Sequence, residues 1–336
     1  MSEFALVARR TLYQRGPLRR ALLDTSVLTS DVIAATTRRE PSSFVAGARA
    51  GTVRCLIPVH VAEEVPRVLG DRHREGGGRF DLGRALDLWE SQYLPVLYVV
   101  DATGLPQTPE ARVLAGRDPS DVPMLLLAGV IAPVVIIGTD PDLLDSGLAV
   151  GAWRDLRSAL GDVGVTEGRM ADLERQADVL INITGNVVQG VMRRSGPKQL
   201  AVAAAVIAPV AGALYLRQRK RPRVGPQRQP WLPTLVEYAS ARLAVHVERH
   251  TRGEDRWRPA ERGTPGDTLL HLVARTLVGS REPLTRTAIV ERLGEAVPGV
   301  GHMVRMAAVL EVLTAHAMFV DVTGRGHWRV GRLGGR

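Results

Sequence analysis

Residues 20–28 read RALLDTSVL, and the fold turns on this stretch. Ala21, Leu22 and Leu23 form an apolar run without polar alternation, as expected of a strand covered on both faces in a parallel sheet. Asp24 ends the run. A carboxylate placed there stands at the C-terminal edge of a parallel sheet, where such folds gather their ligands. Working outward, the pattern recurs in VRCLIPV (53–59), LPVLYVV (94–100) and PVVIIGTD (133–140), with amphipathic helical stretches between. Short apolar strands alternating with helices predict an α/β domain with a mostly parallel sheet over residues 20–150. ALLD and PVVIIG are its expected central strands.

The acids interrupt these runs at comparable points. Glu63 and Glu64 lie in PVHVAEEVPRVL, a helix entered from the second strand; Asp118 and Asp121 lie in RDPSDVPMLLLAGVI, at another helix start; Asp140 and Asp142 follow the VVIIGT strand in GTDPDLL. Four elements thus deliver carboxylates toward one sheet edge. Crowded carboxylates raise one another's pKa unless a positive charge sits among them. Oxygen ligands without nearby His or Cys favour Mg²⁺ or Mn²⁺ over zinc. The expected chemistry is attack of metal-activated water on a phosphodiester, with no protein nucleophile. Each acid taken singly also suits an ordinary helix cap or turn.

In order and spacing across residues 20–147, LLDTSVL, the helix with an acid followed by Val65, RDPSD leading into LLLA, and GTDPDLL resemble the PIN nuclease family. The resemblance implies a Rossmann-like α/β/α fold, Mg²⁺ or Mn²⁺, single-stranded RNA as substrate, and pairing into homodimers. Carried over singly, its catalytic acids fall on Asp24, Glu64, Asp121 and Asp140, with Asp118 and Asp142 as further metal ligands. Thr25 or Ser26 is expected to support the first carboxylate and Thr139 the last. The fourth motif departs from the family, reading Gly138, Thr139, Asp140 where Thr-Gly-Asp is usual. A PIN-like scaffold that binds without cutting, in a DNA-binding regulator, is the competing expectation. The long C-terminal extension is unlike the compact toxins of the family and favours housekeeping or regulatory cleavage.

Other chemistries find little support. Cys55 is the only cysteine, which excludes an internal disulfide and a cysteine zinc site. The histidines, His60 among them, show no paired metal spacing and read as surface or packing residues. Gly76 to Gly78 lack the Walker ending, and Ser26 lacks the GxSxG elbow. Arg9, Arg10 and Arg15 interrupt the N-terminal basic segment (1–19) before any leader-like apolar run develops, so a cytoplasmic location is expected.

The net charge is +9. Arg193, Arg194, Lys198, Arg217, Arg219, Lys220, Arg221, Arg223 and Arg228 fall in an acid-free block within the connecting region 151–235. This block suits nucleic acid phosphates, anionic lipid or a solvated linker. Between its halves, LAVAAAVIAPVAGALYL (200–216) is free of charge, and both a buried helix and membrane association stay open for it. The last region, 236–336, carries a helix from an Asp267 cap through Leu277, a second in LTRTAIVERLGEAV starting near Leu284 or Thr285, and a third in GHMVRMAAVLEVLTAHA. A hairpin follows in MFVDVTGRGHWRVGRL. That order resembles a winged helix over about residues 265–333 by pattern rather than motif. The resemblance places His302 and Arg305 near the start of a groove-binding helix, and Arg325, His327 and Arg329 where they would meet the phosphates of RNA or DNA.

Overall fold

The structure, a computed structural model, describes residues 18–40, 42–164, 166–167, 245, 248–299 and 301–335. Two compact units divide the chain, one holding residues 17–164 and 253–336, the other holding 1–16 and 165–252. The basic block and the apolar stretch 200–216 lie outside the described residues. Among the described residues, no helix is long and apolar enough to cross a membrane.

The first unit is built on a mostly parallel six-stranded sheet among the described residues, as the apolar runs predict. Its strands are β1 (Arg19–Leu23), β2 (Val53–Pro58), β3 (Tyr98–Val100), β4 (Val135–Ile137), β5 (Ala149–Val150) and β9 (Arg332–Leu333). The order is β5-β4-β1-β2-β3-β9, and only the β3–β9 pairing is antiparallel. In register, Leu22 of β1 faces Leu56 of β2 and Ile136 of β4. Every residue of β2 and β4 is buried, so both sheet faces are covered.

Two groups of helices provide that cover. In the first, α1 (Thr25–Arg38), α3 (Val59–Glu75) and α4 (Leu82–Leu88) pack on one another. Val61, Val65 and Leu69 recur every fourth residue of α3 and are fully buried, which fixes the face it turns to the core. Buried Asp31 of α1 accepts from Ser42 Oγ and Tyr93 Oη (2.8 Å) and pairs with Arg157 Nε (2.8 Å), so a charge in the core has three partners. Ser42 also caps α2 (Ser43–Arg49). The second group comprises α5 (Pro109–Ala115), α6 (Val122–Ile131) and α8 (Leu269–Gly279). α6 is apolar on all sides, as suits a helix buried between sheet and helices. A short α7 (Pro141–Asp145) follows β4, and residues 153–164 are helical.

The C-terminal region follows the expected order. After α8 come β6 (Leu284–Thr285), α9 (Arg286–Leu293), α10 (His302–Ala315), β7 (Phe319–Asp321) and β8 (His327–Val330). The last two strands form the hairpin, and β6 joins them in a separate antiparallel sheet ordered β6-β8-β7. Thr285 caps α9 by accepting from the Ala288 N–H. Asp267 does not cap α8. Thr268 holds that position, and its hydroxyl bonds His271 Nδ1 at 2.6 Å instead of a helix N–H.

This region is docked on the first sheet rather than tethered to it. α8 packs on α6 and β1, and β9 extends the sheet beyond β3 through Tyr98↔Leu333 and Val99↔Arg332. Buried Arg54, inside β2, donates to the carbonyls of Leu277 (2.8 Å) and Ser280 at the C-terminal end of α8. Its guanidinium also stacks over the Tyr98 ring at 4.6 Å. A cation at a helix C-terminus meets the negative end of the macrodipole, so the burial of this charge is compensated.

Candidate active site at the sheet edge

Neighbours β2 and β3 lie on one side of β1, and β4 and β5 on the other. Connections leaving β1 and β4 therefore turn to opposite faces, and a crevice opens at their C-terminal ends, the usual ligand position in a doubly wound sheet. Asp24 follows β1 and Asp140 follows β4, so both stand at this reversal. Glu64 reaches it from α3, and Asp121 from the start of α6.

Backbone and small residues tie the ends of β1 and β4 together. The Asp24 N–H donates to Ile137 O at 3.0 Å. Ser26 gives both its N–H (3.1 Å) and its hydroxyl to Asp24 Oδ2, and its Oγ accepts from the Thr139 N–H at 3.1 Å. Ser26 is thus the support of the first carboxylate. Thr25, the other expected support, donates to Glu64 Oε2 at 2.9 Å instead, because the first turn of α1 points its hydroxyl at α3. Thr139 acts through its backbone; its side chain makes no bond to Asp140. At Gly138 the backbone passes close to Asp24: a Cβ there would lie 3.3 Å from Asp24 Cβ and 3.4 Å from Leu143 Cδ1, so a side chain would press on the first carboxylate residue.

The acids differ in what occupies them. Asp24 caps α1. Asp140 caps α7, accepting from the N–H groups of Asp142 (2.8 Å) and Leu143 (3.4 Å). Asp118 is half-buried and accepts from Ser120, which holds its carboxyl below the usual range. Glu64 is held at both oxygens, by Thr25 and by Arg67 NH2 at 2.7 Å. Asp142 turns toward Arg117, 3.9 Å away. Asp121 stands apart: it occupies the cap position of α6 in a helical conformation without capping it. It is only 9% exposed, and no described residue gives its carboxylate a hydrogen bond.

Electrostatics shows which acids share a space. Burial, then repulsion from Asp24, Asp118, Asp140 and Glu64, pushes the Asp121 carboxyl up to about 7. Burial raises Asp24 as well; the Ser26 bonds oppose this and Asp140 adds to it. His60, one turn before Glu64 on α3, is lowered by burial, while Glu64, Asp24, Glu63 and Asp118 pull it the other way. Arg67 and Arg117 border the acids and escaped the sequence reading, and His60, read there as a surface or packing residue, lies among the acids as well. Spacing alone held the clue, since His60 and Glu64 are four apart on one helix and Arg117 directly precedes Asp118.

Among the described residues, no three His, Cys, Asp or Glu side chains stand close enough together to hold an ion as placed. In donor chemistry the cluster nevertheless suits a hard divalent cation: every expected ligand is a carboxylate, and buried Asp121 meets only like charge.

Two of the expected nucleic acid contacts of the C-terminal region, Arg305 and Arg329, are engaged within the fold. Arg305 donates to the carbonyls of Gly299 (3.1 Å) and Gly294 (3.3 Å). Arg329 donates to Gly331 O at 3.1 Å and lies over the Tyr98 ring at 5.5 Å. Arg325 is exposed at the hairpin turn. The first turn of α10 presents Met303 and Val304, 78% and 54% exposed. No family model, curated protein or solved structure matches the chain.

Proposed function

We propose that the chain is a metal-dependent nuclease of PIN type that hydrolyses phosphodiester bonds of single-stranded RNA at the β1–β4 crevice. The observation that carries this reading is Asp121. Helix capping and turns account for Asp24, Asp118 and Asp140, but nothing in the fold needs a buried carboxylate at 121 with four acids around it and no donor. A divalent cation removes that repulsion. Asp24, Glu64, Asp121 and Asp140 would hold it, with Asp118 and Asp142 at the margin. Mg²⁺ or Mn²⁺ held there would lower the pKa of its bound water, so that hydroxide forms more readily to attack phosphorus, and would offset charge building on the phosphoryl oxygens.

The chain's own residues orient and tune this site. Ser26 fixes the Asp24 carboxylate and binds it to the β4 turn, while Thr25 and Arg67 fix both oxygens of Glu64. Asp121, raised to about 7, can hold or release a proton at its carboxyl near neutral pH. Without the fixed hydroxyls, the acids would spread under mutual repulsion.

For the C-terminal region, the helix–strand–helix–helix–hairpin order and the β6-β8-β7 sheet favour a winged-helix-like module. With Arg305 and Arg329 engaged internally and an apolar first turn on α10, it suits a structural or protein-facing role better than reading DNA.

The test is cleavage of labelled single-stranded RNA by the full chain with Mn²⁺, with EDTA, and by an Asp24→Asn Asp121→Asn double variant. Cleavage by the wild type with Mn²⁺ alone is expected. A folded wild type that binds RNA and never cuts it would replace this reading with that of a non-catalytic scaffold.

A further inference from the structure

We infer that a single-stranded nucleic acid backbone crosses the acid cluster with its phosphates held by Arg67 on one flank and Arg117 on the other. The substrate class rests on the nuclease reading; the placement rests on geometry. Arg67 belongs to α3, which leaves β2, and its NH2 lies 2.7 Å from Glu64 Oε1. Arg117 follows α5, and its NH1 lies 3.9 Å from Asp142 and 3.5 Å from Asp145 on α7, which leaves β4. Arg67 thus stands beside Glu64 on the helix that leaves β2, and Arg117 beside Asp142 on the helix that leaves β4, and β2 and β4 are the two neighbours of β1, which ends in Asp24.

An acid cluster alone repels a polyanion, so a substrate needs cations beside the site as well as within it. Both arginines are exposed, with side chains 66% and 54% accessible. The pairs of Arg117 with Asp142 and Asp145 are each worth roughly 0–1 kcal/mol, so a phosphate can take its guanidinium at little cost. Arg67 can keep one nitrogen on Glu64 and turn the other, 3.8 Å from Asp71, to a phosphate. Arginine also offers the planar fork that grips phosphate at two oxygens. A second observation points to a ligand in the same crevice: Asp121, 9% exposed as a residue, is repelled by Asp24, Asp118, Asp140 and Glu64, and no described residue donates a hydrogen bond to its carboxylate. The clamp lies on the sheet edge, away from Arg305 and Arg329, which the fold already uses.

The experiment compares full-length wild type with Arg67→Gln, Arg117→Gln, their double variant, Arg325→Gln, and the Arg67→Lys Arg117→Lys pair. Binding of a fluorescent single-stranded RNA 12-mer is followed by anisotropy across a salt series with Ca²⁺, and cleavage is measured separately with Mn²⁺. Arg67→Gln and Arg117→Gln are each expected to weaken binding about 3- to 10-fold and to lower the slope of log K against log salt by about 0.7, with the double variant losing both contributions and Arg325→Gln unchanged. The Lys pair should restore the slope but only part of the affinity. Arg117→Gln should raise KM while kcat changes less than about 3-fold, whereas Arg67→Gln should lower kcat as well, because Arg67 also holds Glu64. If wild type never cleaves but the arginines still carry binding, the clamp stands and the nuclease reading falls. Unchanged affinity and slope in the double Gln variant, or a loss confined to Arg325→Gln, would overturn the clamp.

Discussion

Asp121 is a carboxyl whose folded pKa, about 7, lies above the ordinary aspartate value of 3.8. The folded state therefore holds its proton more tightly than the unfolded chain does. Any stability tied to this group is complete below about pH 4 and is lost as pH rises to about 7. In EDTA at pH 8, Asp121→Asn should stabilise the protein by about 2 kcal/mol after allowance for screening, and the gain should vanish near pH 4. Thermal melts at both pH values check this; a variant less stable at pH 8 would mean that the ionised group makes favourable contacts in the fold. Mn²⁺ should raise the wild-type melting temperature and leave the variant unchanged, because an ion bound only by the folded state stabilises it by mass action. Gly138 gives a second test at this scale. Gly138→Ala places a methyl 3.3 Å from Asp24 Cβ, so kcat should fall at least 10-fold with melting lowered by only a few degrees. Activity equal to wild type would show that Asp24 can shift without consequence. The sequence showed the acids here but not their partners. Thr25 could be seen to lie beside Asp24, yet its bond crosses to Glu64, 39 positions away.

At the scale of elements, the apolar runs revealed β1, β2, β3 and β4 by being short and set between helical stretches, since strands buried on both faces lack the alternation that marks a half-buried strand. The helix starts were less legible. Asp267 and Thr268 are both good capping types, and only the backbone shows that Thr268 holds the position. The two-residue strands β5 and β9 gave no signal, since a pair of residues has no period to read. The contact between α1 and α3 yields a prediction at this level. Thr25→Val removes the hydrogen bond to Glu64 but keeps the shape of the side chain. The expected cost is about 1 kcal/mol of stability and a larger loss of kcat than of substrate affinity. Denaturant unfolding and steady-state kinetics measure both, and a change confined to KM would count against an orienting role for Thr25.

For the whole molecule, the sequence suggests a nuclease-like half and a C-terminal module joined by a linker, but the structure packs residues 17–164 and 253–336 into one unit. Nothing local announced this union, because Arg54 reads as one charge in a strand until Leu277 and Ser280 supply its acceptors. Arg54→Met should cost about 2–4 kcal/mol, since two carbonyls lose their donor while the stem is partly replaced. Urea unfolding should remain one transition in wild type; a variant as stable as wild type would show that the docking does not depend on this arginine.

The pairing of β3 with β9 also has a meaning in time. During synthesis Tyr98 and Val99 leave the ribosome long before Arg332 and Leu333, the residues that pair with them. At ordinary translation speeds the interval is on the order of ten to fifty seconds. Throughout it the outer edge of β3 remains open to any strand that arrives, and a chain stopped before residue 332 never closes it. The sheet that carries the acids is finished only once residues 332 and 333 have been made, so products truncated before them would carry an open edge for chaperones and proteases to find.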